Sequence, residues 1–167
     1  MTQPDLTVRQ AELRDAGAVA TLFDAYRQFY KKPPDVALAE RFIGDRLRSG
    51  DSLILVAERL AVTASPIAFV QLYPTFSSLR CSRAWLLNDL FVEKSARRSG
   101  AAEALMRAAA DAASRAGVTS ISLSTAHDNV PAQALYTKLG YVVDEEFRTY
   151  SLAISLAISL AISLAER

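Results

Sequence analysis

Residues 85–117 read WLLNDLFVEKSARRSGAAEALMRAAADAASRAG, and this stretch decides the fold. Its first eight residues are mostly apolar and have the length of a buried strand. From Leu105 to Ala113 apolar residues recur at helical spacing, and Gly117 stands where such a helix would end. A short basic turn that contains Gly100 separates the two parts. The stretch therefore predicts a strand, a basic turn and a helix in succession.

The basic turn has the composition of an anion-binding site. The first amides of a helix have no partner inside it, and the helix dipole adds partial positive charge there. Gly100 leaves the backbone open to a phosphate, and Arg97 and Arg98 add full charges and forked donors. The motifs G-x-G-x-x-G and G-x-x-x-x-G-K-[ST] are absent, which excludes a dinucleotide or a nucleoside triphosphate held in those ways. The alternative is that both arginines are solvated loop charges.

Two motifs resemble the GNAT N-acetyltransferase superfamily. The pyrophosphate-loop pattern [QR]-x-x-G-x-[GA] stands here as Arg97-x-x-Gly100-x-Ala102, after a strand that ends in DLFV at residues 89–92. The pattern N-x-x-A-x-x-[LF]-Y-x-x-x-G-[FY] is matched by residues 129–141. The resemblance covers about residues 6 to 152. It implies an acetyl-CoA-dependent N-acetyltransferase that acts on a small-molecule or peptide amine, and it points to the branch that acetylates polyamines, histone tails and other small amines.

The order of predicted elements is β-α-α-β-β-β-α-β-α-β-β. We expect Pro74 to end the third strand and the last two strands to lie at residues 141–143 and 147–152. This order predicts an α/β (α+β) chain with a mixed, mostly antiparallel central sheet of about seven strands and helices on both faces. It is also the order of the GNAT fold.

Composition narrows the class of protein. A length of 167 residues fits one domain, which we place at residues 1–152, and a net charge of +1 gives no reason to expect nucleic-acid or membrane partners. The single cysteine, Cys81, excludes an internal disulfide and fits the cytoplasm. The single histidine, His127, excludes a metal site with two histidine ligands, and we expect no metal.

The tail at residues 153–167 continues a Ser-Leu-Ala-Ile repeat that begins at Ser151. On a strand, this repeat places the large apolar residues on one face. One interpretation is a low-complexity extension without a role in chemistry. The other is a long final strand that forms a homodimer with a second subunit, since an exposed apolar edge invites pairing and GNAT enzymes often dimerise through their last strands.

Acetyl transfer from a thioester needs a deprotonated amine, a polarised carbonyl and an acid for the thiolate. The resemblance implies that backbone groups of Leu90, Phe91 and Val92 hold the pantetheine arm and polarise the carbonyl. It assigns the pyrophosphate to the turn residues Arg97, Arg98, Ser99, Gly100, Ala101 and Ala102. It makes Tyr136 the acid and also gives it, with Asn129 seven residues earlier, a place at the cofactor. The alternatives are a core tyrosine and a plain helix cap.

The general base is less clearly marked. Spermidine/spermine-type members carry Glu-Asp where this chain has Asn88-Asp89, and strand alternation predicts that these two side chains point to opposite faces. Asn88 can orient a water but cannot take a proton at neutral pH. Asp89, a water chain or bulk solvent then serves as the base, and Asp89 as a structural acceptor is the alternative. The missing carboxylate also favours a rival function, an acyl-CoA-binding regulatory protein, and the tail suggests an assembly module.

Aromatic residues supply a candidate amine pocket. A protonated amine is attracted to aromatic ring faces. The predicted substrate-binding residues are Tyr26, Tyr30, Tyr73 and Trp85, and the alternative is that they belong to the core.

Overall fold

A computed structural model describes residues 6–59 and 65–154 of the chain. The chain divides after Ala126 into two compact units. The first contains β1 (Leu6–Gln10), α1 (Ala16–Phe29), α2 (Val36–Ser49), β2 (Leu53–Arg59), β3 (Pro66–Ser77), β4 (Ser82–Val92), α3 (Ala101–Arg115) and β5 (Ser120–Leu123), and the second contains α4 (Val130–Lys138). Two short 3₁₀ turns, Leu13–Asp15 and Lys94–Ala96, precede α1 and α3.

The sheet has the order β1-β2-β3-β4-β5. The first three pairings are antiparallel, and β4 and β5 run parallel. The prediction of a mixed, mostly antiparallel sheet is therefore confirmed, while the predicted number of strands is too high: the described residues form five.

The two closing strands predicted at residues 141–143 and 147–152 are not strands in the described structure. The Asp144 carboxylate instead accepts hydrogen bonds from the backbone amides of Glu146 and Phe147, at 3.0 Å and 2.9 Å, and closes a turn. An apolar stretch becomes a strand only when a neighbouring strand completes its ladder, which the local pattern does not reveal. Residues 155–167, most of the repetitive tail, lie outside the described residues.

Helices cover both faces of the sheet in the first unit. Ile54, Val56 and Phe69 pack with Val19 of α1 and Ile43 of α2 in one fully buried cluster. The alternate strand residues, which point to the other face, are also buried, and α3 packs on β2, β3 and β4 with its own buried residues Leu105, Met106, Ala109 and Ala113.

Helix α2 begins and ends where the sequence predicts. The Asp35 side chain accepts from the Leu38 amide at 2.9 Å, and Gly50 takes the left-handed conformation at the C-cap, with φ of 61°. These caps fix the two ends of α2, which packs against α1.

Pro74 does not end β3, which continues to Ser77. The pairing of β3 with β2 stops at Leu72, whereas its pairing with β4 continues through Pro74 opposite Trp85. Beyond Leu72 one edge of β3 therefore has no neighbour from β2, and a residue without an N–H is tolerated there.

Candidate active site

Strand β4 carries one extra residue in the middle of its pairing with β3. Gln71 pairs with Asp89 and Leu72 pairs with Leu87, so Asn88 has no position of its own in the register. This is the pattern of a β-bulge, which bends a strand and redirects its side chains. The Asn88 amide Nδ2 lies 3.3 Å from both carboxylate oxygens of Asp89. The predicted opposite orientation of these two side chains is therefore wrong, because alternation does not hold through a bulge.

The same bulge marks the point where β4 and β5 part. β5 pairs with β4 only from Ala84 to Leu87, while the pairing of β4 with β3 continues to Val92. Within the described residues, the β5-facing edge of Leu90, Phe91 and Val92 therefore belongs to no ladder. Backbone N–H and C=O groups along such an edge are open to hydrogen bonding by an extended ligand.

The chain turns from β4 into α3 through two residues in the left-handed region. Arg98 has φ of 63°, and Gly100, at the N-cap of α3, has φ of 82°. Buried Ala96 and Ala101 anchor the two ends of the turn. Arg97 and Arg98 are exposed, and the Arg97 guanidinium carbon lies 6.0 Å from the Phe29 ring centre. The turn thus carries two exposed arginines in the residues that immediately precede the N-terminus of α3.

The turn has unpaired donors of the kind that bind an anion. The first intrahelical bond of α3 runs from the Ala104 amide to the Gly100 carbonyl at 3.0 Å, so the amides of Ala101 and Ala102 have no acceptor inside the helix. In the described part of the chain, the hydroxyl oxygen of Ser99 is buried without a hydrogen-bond partner. These donors suit the oxygens of a phosphate.

Burial controls the electrostatics of Asp89. The residue is 4% exposed, and this desolvation raises the pKa of its carboxyl group. Hydrogen bonds with the side chains of Asn88 and Tyr26 act in the other direction. Burial is the largest of the three effects, so the pKa lies above its ordinary value. A carboxylate of this kind is suited to accept a proton.

Two of the four predicted substrate-binding residues, Tyr26 and Tyr73, interact with Asp89, and a third, Tyr30, contacts Tyr26. The Tyr26 hydroxyl lies 3.4 Å from the Asn88 carbonyl oxygen, and its ring is 5.1 Å from that of Tyr30. Burial and the charge of Asp89 raise the pKa of Tyr73 to about 12. Trp85 lies elsewhere: the cross-strand partner of Tyr73 is Leu86, so alternation directs the preceding residue, Trp85, to the opposite face.

Sequence patterns did not predict a role for Gln71, which is fully buried at the centre of the sheet. Its side-chain Nε2 donates to the Ser52 hydroxyl at 2.9 Å. The available signal was a single amide residue inside the apolar run IAFVQLY at residues 67–73. A polar residue inside such a run is more informative than its apolar neighbours, because burying it requires partners.

The second unit carries the predicted cofactor asparagine and the predicted acid. Asn129 occupies the N-cap of α4, and Tyr136 lies on the last turns of that helix. The rings of Tyr136 and Tyr141 are 6.0 Å apart, and burial, followed by the charge of Tyr136, raises the pKa of Tyr141. The second motif therefore forms one helix with two neighbouring phenols after its N-cap.

Two kinds of feature are absent from residues 6–59 and 65–154. There is no group of three or more histidine, cysteine, aspartate or glutamate side chains there that could hold a metal ion. None of the helices there has the length and apolar character needed to cross a membrane.

Comparison with known proteins identifies the family. The sequence profile of the Acetyltransferase (GNAT) family matches residues 19–141. The chain belongs to the GNAT acetyltransferase family. It is 43% identical over 149 residues to an uncharacterized N-acetyltransferase, YhfO, of Bacillus subtilis (strain 168), covering 89% of this chain and 98% of that protein.

Two other relatives are also named as acetyltransferases. A D-amino-acid N-acetyltransferase, HPA3, of Saccharomyces cerevisiae is 29% identical over 149 residues, covering 87% of this chain and 90% of that protein. The crystal structure of a probable acetyltransferase superposes with a TM-score of 0.83 at 36% identity, covering 89% of this chain and 98% of that one. The GNAT fold and an acetyltransferase activity are thereby shown, and the relatives do not favour the rival regulatory function.

Proposed function

We propose that this GNAT protein is an acetyl-CoA-dependent N-acetyltransferase that moves an acetyl group to the primary amine of a small molecule or peptide by direct attack. One observation carries the proposal: β4 parts from β5 at the Asn88 bulge and leads directly into the Gly100 turn at the start of α3. A buried carboxylate, an open strand edge and an anion-binding turn then follow one another between residues 89 and 102.

Acetyl-CoA binding is assigned to the residues of this segment. Bound acetyl-CoA would supply an activated acyl group whose carbonyl carbon the amine attacks. The open edge of Leu90, Phe91 and Val92 would hold the pantetheine arm and donate to the carbonyl oxygen. The turn from Arg97 to Ala102 would bind the pyrophosphate, and Asn129 would add a further polar contact.

Asp89 is the proposed general base. Its buried carboxylate lies behind the exposed Asn88 amide, at the point where the two strands part. Burial raises the pKa of Asp89 and so brings it closer to the pKa of an ammonium group. Proton transfer from the ammonium group to Asp89 is therefore less unfavourable. Asn88 is proposed to steady the ionised carboxylate and to orient the approaching amine or a water.

Tyr136 is the proposed acid for the departing thiolate. A phenol with an ordinary pKa near 10 is protonated at neutral pH and can donate its proton to a thiolate. Its place in the second family motif supports this role.

The acceptor is proposed to be a small amine. Tyr26, Tyr30 and Tyr73 would contact the cationic or apolar part of the amine. Trp85 lies on the opposite face of the sheet and is not part of this proposed contact surface. The yeast relative supports a small amine, since it acts on D-amino acids by its name. The motif resemblance supports polyamines and histone tails as further candidates.

The test is thiol release from acetyl-CoA in the presence of an amine panel. The panel contains spermidine, a lysine-rich peptide and both enantiomers of several amino acids, with a control without amine for hydrolysis. Release that depends on one amine class, with the acetylated product seen by mass spectrometry, supports the proposal. Acetyl-CoA binding without release above hydrolysis for any amine contradicts it.

We further propose a homodimer that forms through the tail at residues 153–167, in the cytoplasm. The apolar Ser-Leu-Ala-Ile repeat in the sequence supports the homodimer, and the single cysteine supports the cytoplasm. Truncation after Leu152 should lower the mass measured in solution by light scattering. An oligomer of unchanged subunit number after truncation contradicts the role of the tail.

A further inference from the structure

Gln71 has one hydrogen-bonding atom that the described structure leaves unused. Its side chain is fully buried in β3, and its Nε2 donates to the Ser52 hydroxyl at 2.9 Å. Among the described residues, its carbonyl-type oxygen Oε1 has no hydrogen-bond partner. A buried acceptor without a donor costs free energy that folding must recover elsewhere. The Oε1 atom of Gln71 therefore lacks a donor in the described structure.

The register places Gln71 directly opposite Asp89. Directly opposed residues of an antiparallel pair share a face of the sheet, with Cβ atoms about 5 Å apart. Both side chains are buried, and both lie beside the bulged residue Asn88. The unpartnered oxygen thus belongs to the nearest cross-strand neighbour of the proposed base.

The donor inventory of the two groups explains the missing partner. An ionised carboxylate accepts hydrogen bonds but donates none, and Oε1 of a glutamine also only accepts. The carboxylate oxygens of Asp89 and Oε1 of Gln71 cannot bond to each other while Asp89 is charged. A carboxylic acid carries one O–H donor, so protonation of Asp89 creates the donor that Gln71 lacks.

We propose that Gln71 Oε1 accepts the hydrogen bond of the carboxylic acid that forms when Asp89 takes a proton from the acceptor amine. This makes Gln71 a positioning residue, and the inference rests on the proposed function in taking Asp89 as the base. The step breaks one N–H bond of the ammonium group and forms one O–H bond on Asp89. A cation and an anion become two neutral groups, and Asp89 returns the proton to solvent before the next turnover.

The other groups that face Asp89 act on its ionised form. Asn88 donates to the carboxylate, and hydrogen bonding with Tyr26 of α1 has the same sense. Burial and the Asp89 charge raise the pKa of Tyr73 on β3, and hydrogen bonding with the Gln71 side chain acts in the other direction. The ion pair between Arg46 and Asp51, 2.7 Å apart at the end of α2, has weaker effects on Tyr73 than the Asp89 charge. Among these groups, Gln71 is the one with an unpartnered acceptor, Oε1, and this acceptor favours the protonated form of Asp89.

The test compares the titration of Asp89 in Gln71→Met with that in Ser52→Ala. Methionine keeps the length of the side chain but has no strong acceptor. Ser52→Ala is the matched control, since it removes the partner of Nε2 and leaves Oε1 in place. The readout is the carboxyl ¹³C shift of Asp89 against pH, measured by NMR on the full chain without amine.

Gln71→Met should lower the titration midpoint of Asp89 by roughly half a pH unit to one unit, and Ser52→Ala should leave it in place. An unchanged midpoint in Gln71→Met, as expected if a buried water satisfies Oε1, overturns the inference. An equal shift in Ser52→Ala also overturns it, because the effect would then be structural.

A second measurement needs no variant. In the unaltered protein the side-chain carbonyl ¹³C shift of Gln71 should titrate with the same midpoint as Asp89, and a Gln71 shift that ignores this titration overturns the inference. Neither measurement requires acetyl transfer. A failed amine panel with a coupled titration rejects the proposed function alone, whereas turnover without coupling rejects the role of Gln71 alone.

Discussion

The side-chain amide of Asn88 donates to the carboxylate of Asp89, with Nδ2 3.3 Å from each oxygen. The contact exists because Asn88 is the extra residue of the bulge between β3 and β4. An exposed amide thereby stands in front of a buried carboxylate at the end of the β4–β5 pairing. This arrangement is the basis for assigning the proton transfer to Asp89 although the chain lacks a glutamate at position 88.

Asp89→Asn should stabilise the fold at neutral pH and not in acid. Burial raises the pKa of Asp89 in the folded state above that of the unfolded chain. The folded protein therefore loses stability as pH rises from the unfolded pKa to the folded one, and the neutral amide avoids this loss. Melting temperatures at about pH 4 and about pH 8 bracket the ordinary carboxyl range. If the difference in melting temperature between the two proteins does not grow with pH, the pKa of Asp89 is not raised by burial.

Gly100→Ala should weaken acetyl-CoA binding, and Gly50→Ala provides the matched control. Both glycines have positive φ, 82° and 61°, so each alanine costs about 1 kcal/mol of stability. An added Cβ at Gly50 meets nothing within 4 Å. At Gly100 it would stand where a phosphate must approach the backbone.

Calorimetry should therefore show acetyl-CoA affinity lower by about tenfold or more in Gly100→Ala, which is about 1.4 kcal/mol. Gly50→Ala should bind like the unaltered protein. If the two variants bind acetyl-CoA equally well, the turn ahead of α3 is not the pyrophosphate site.

The turn and helix are the part of the site that local sequence predicts well. Gly100, the arginines before it and the apolar spacing of α3 are all short-range signals, and the structure confirms each element. The Asn88 bulge is different, because an extra residue is defined only by the register with β3. The burial of Gln71 and the absence of described strands at residues 141–152 likewise depend on partners distant in the chain.

Tyr136→Phe should lower turnover by about 100-fold, the lower end of the range for a general acid. Acetyl-CoA affinity should change little, since the ring remains. Tyr150→Phe is the matched control, because Tyr150 is 86% exposed and loses the same hydroxyl. Steady-state kinetics separate kcat from KM, and equal turnover in the two variants would remove Tyr136 from the mechanism.

Asp15→Asn should destabilise the fold by about 2 kcal/mol near neutral pH. The hydrogen bond from Arg9, at 2.7 Å, is the main cause that lowers the pKa of Asp15 to about 2. The advantage of the carboxylate is full above the unfolded pKa and is lost as pH falls toward about 2.

Urea unfolding of both proteins across this pH range measures the effect. Asp45→Asn, which removes an exposed ion pair with Arg48, should change stability little at any pH. A loss in Asp15→Asn that persists unchanged in strong acid would mean that the ion pair is not its cause.

The most direct test of the account is the turnover number of Asp89→Asn on the best amine of the panel, beside Asp111→Asn as an exposed control. Loss of a general base predicts a turnover at least about 100-fold lower in Asp89→Asn, with acetyl-CoA affinity retained and Asp111→Asn unaffected. Turnover in Asp89→Asn equal to that of the unaltered protein, at every pH, would contradict the assignment of the proton transfer to Asp89.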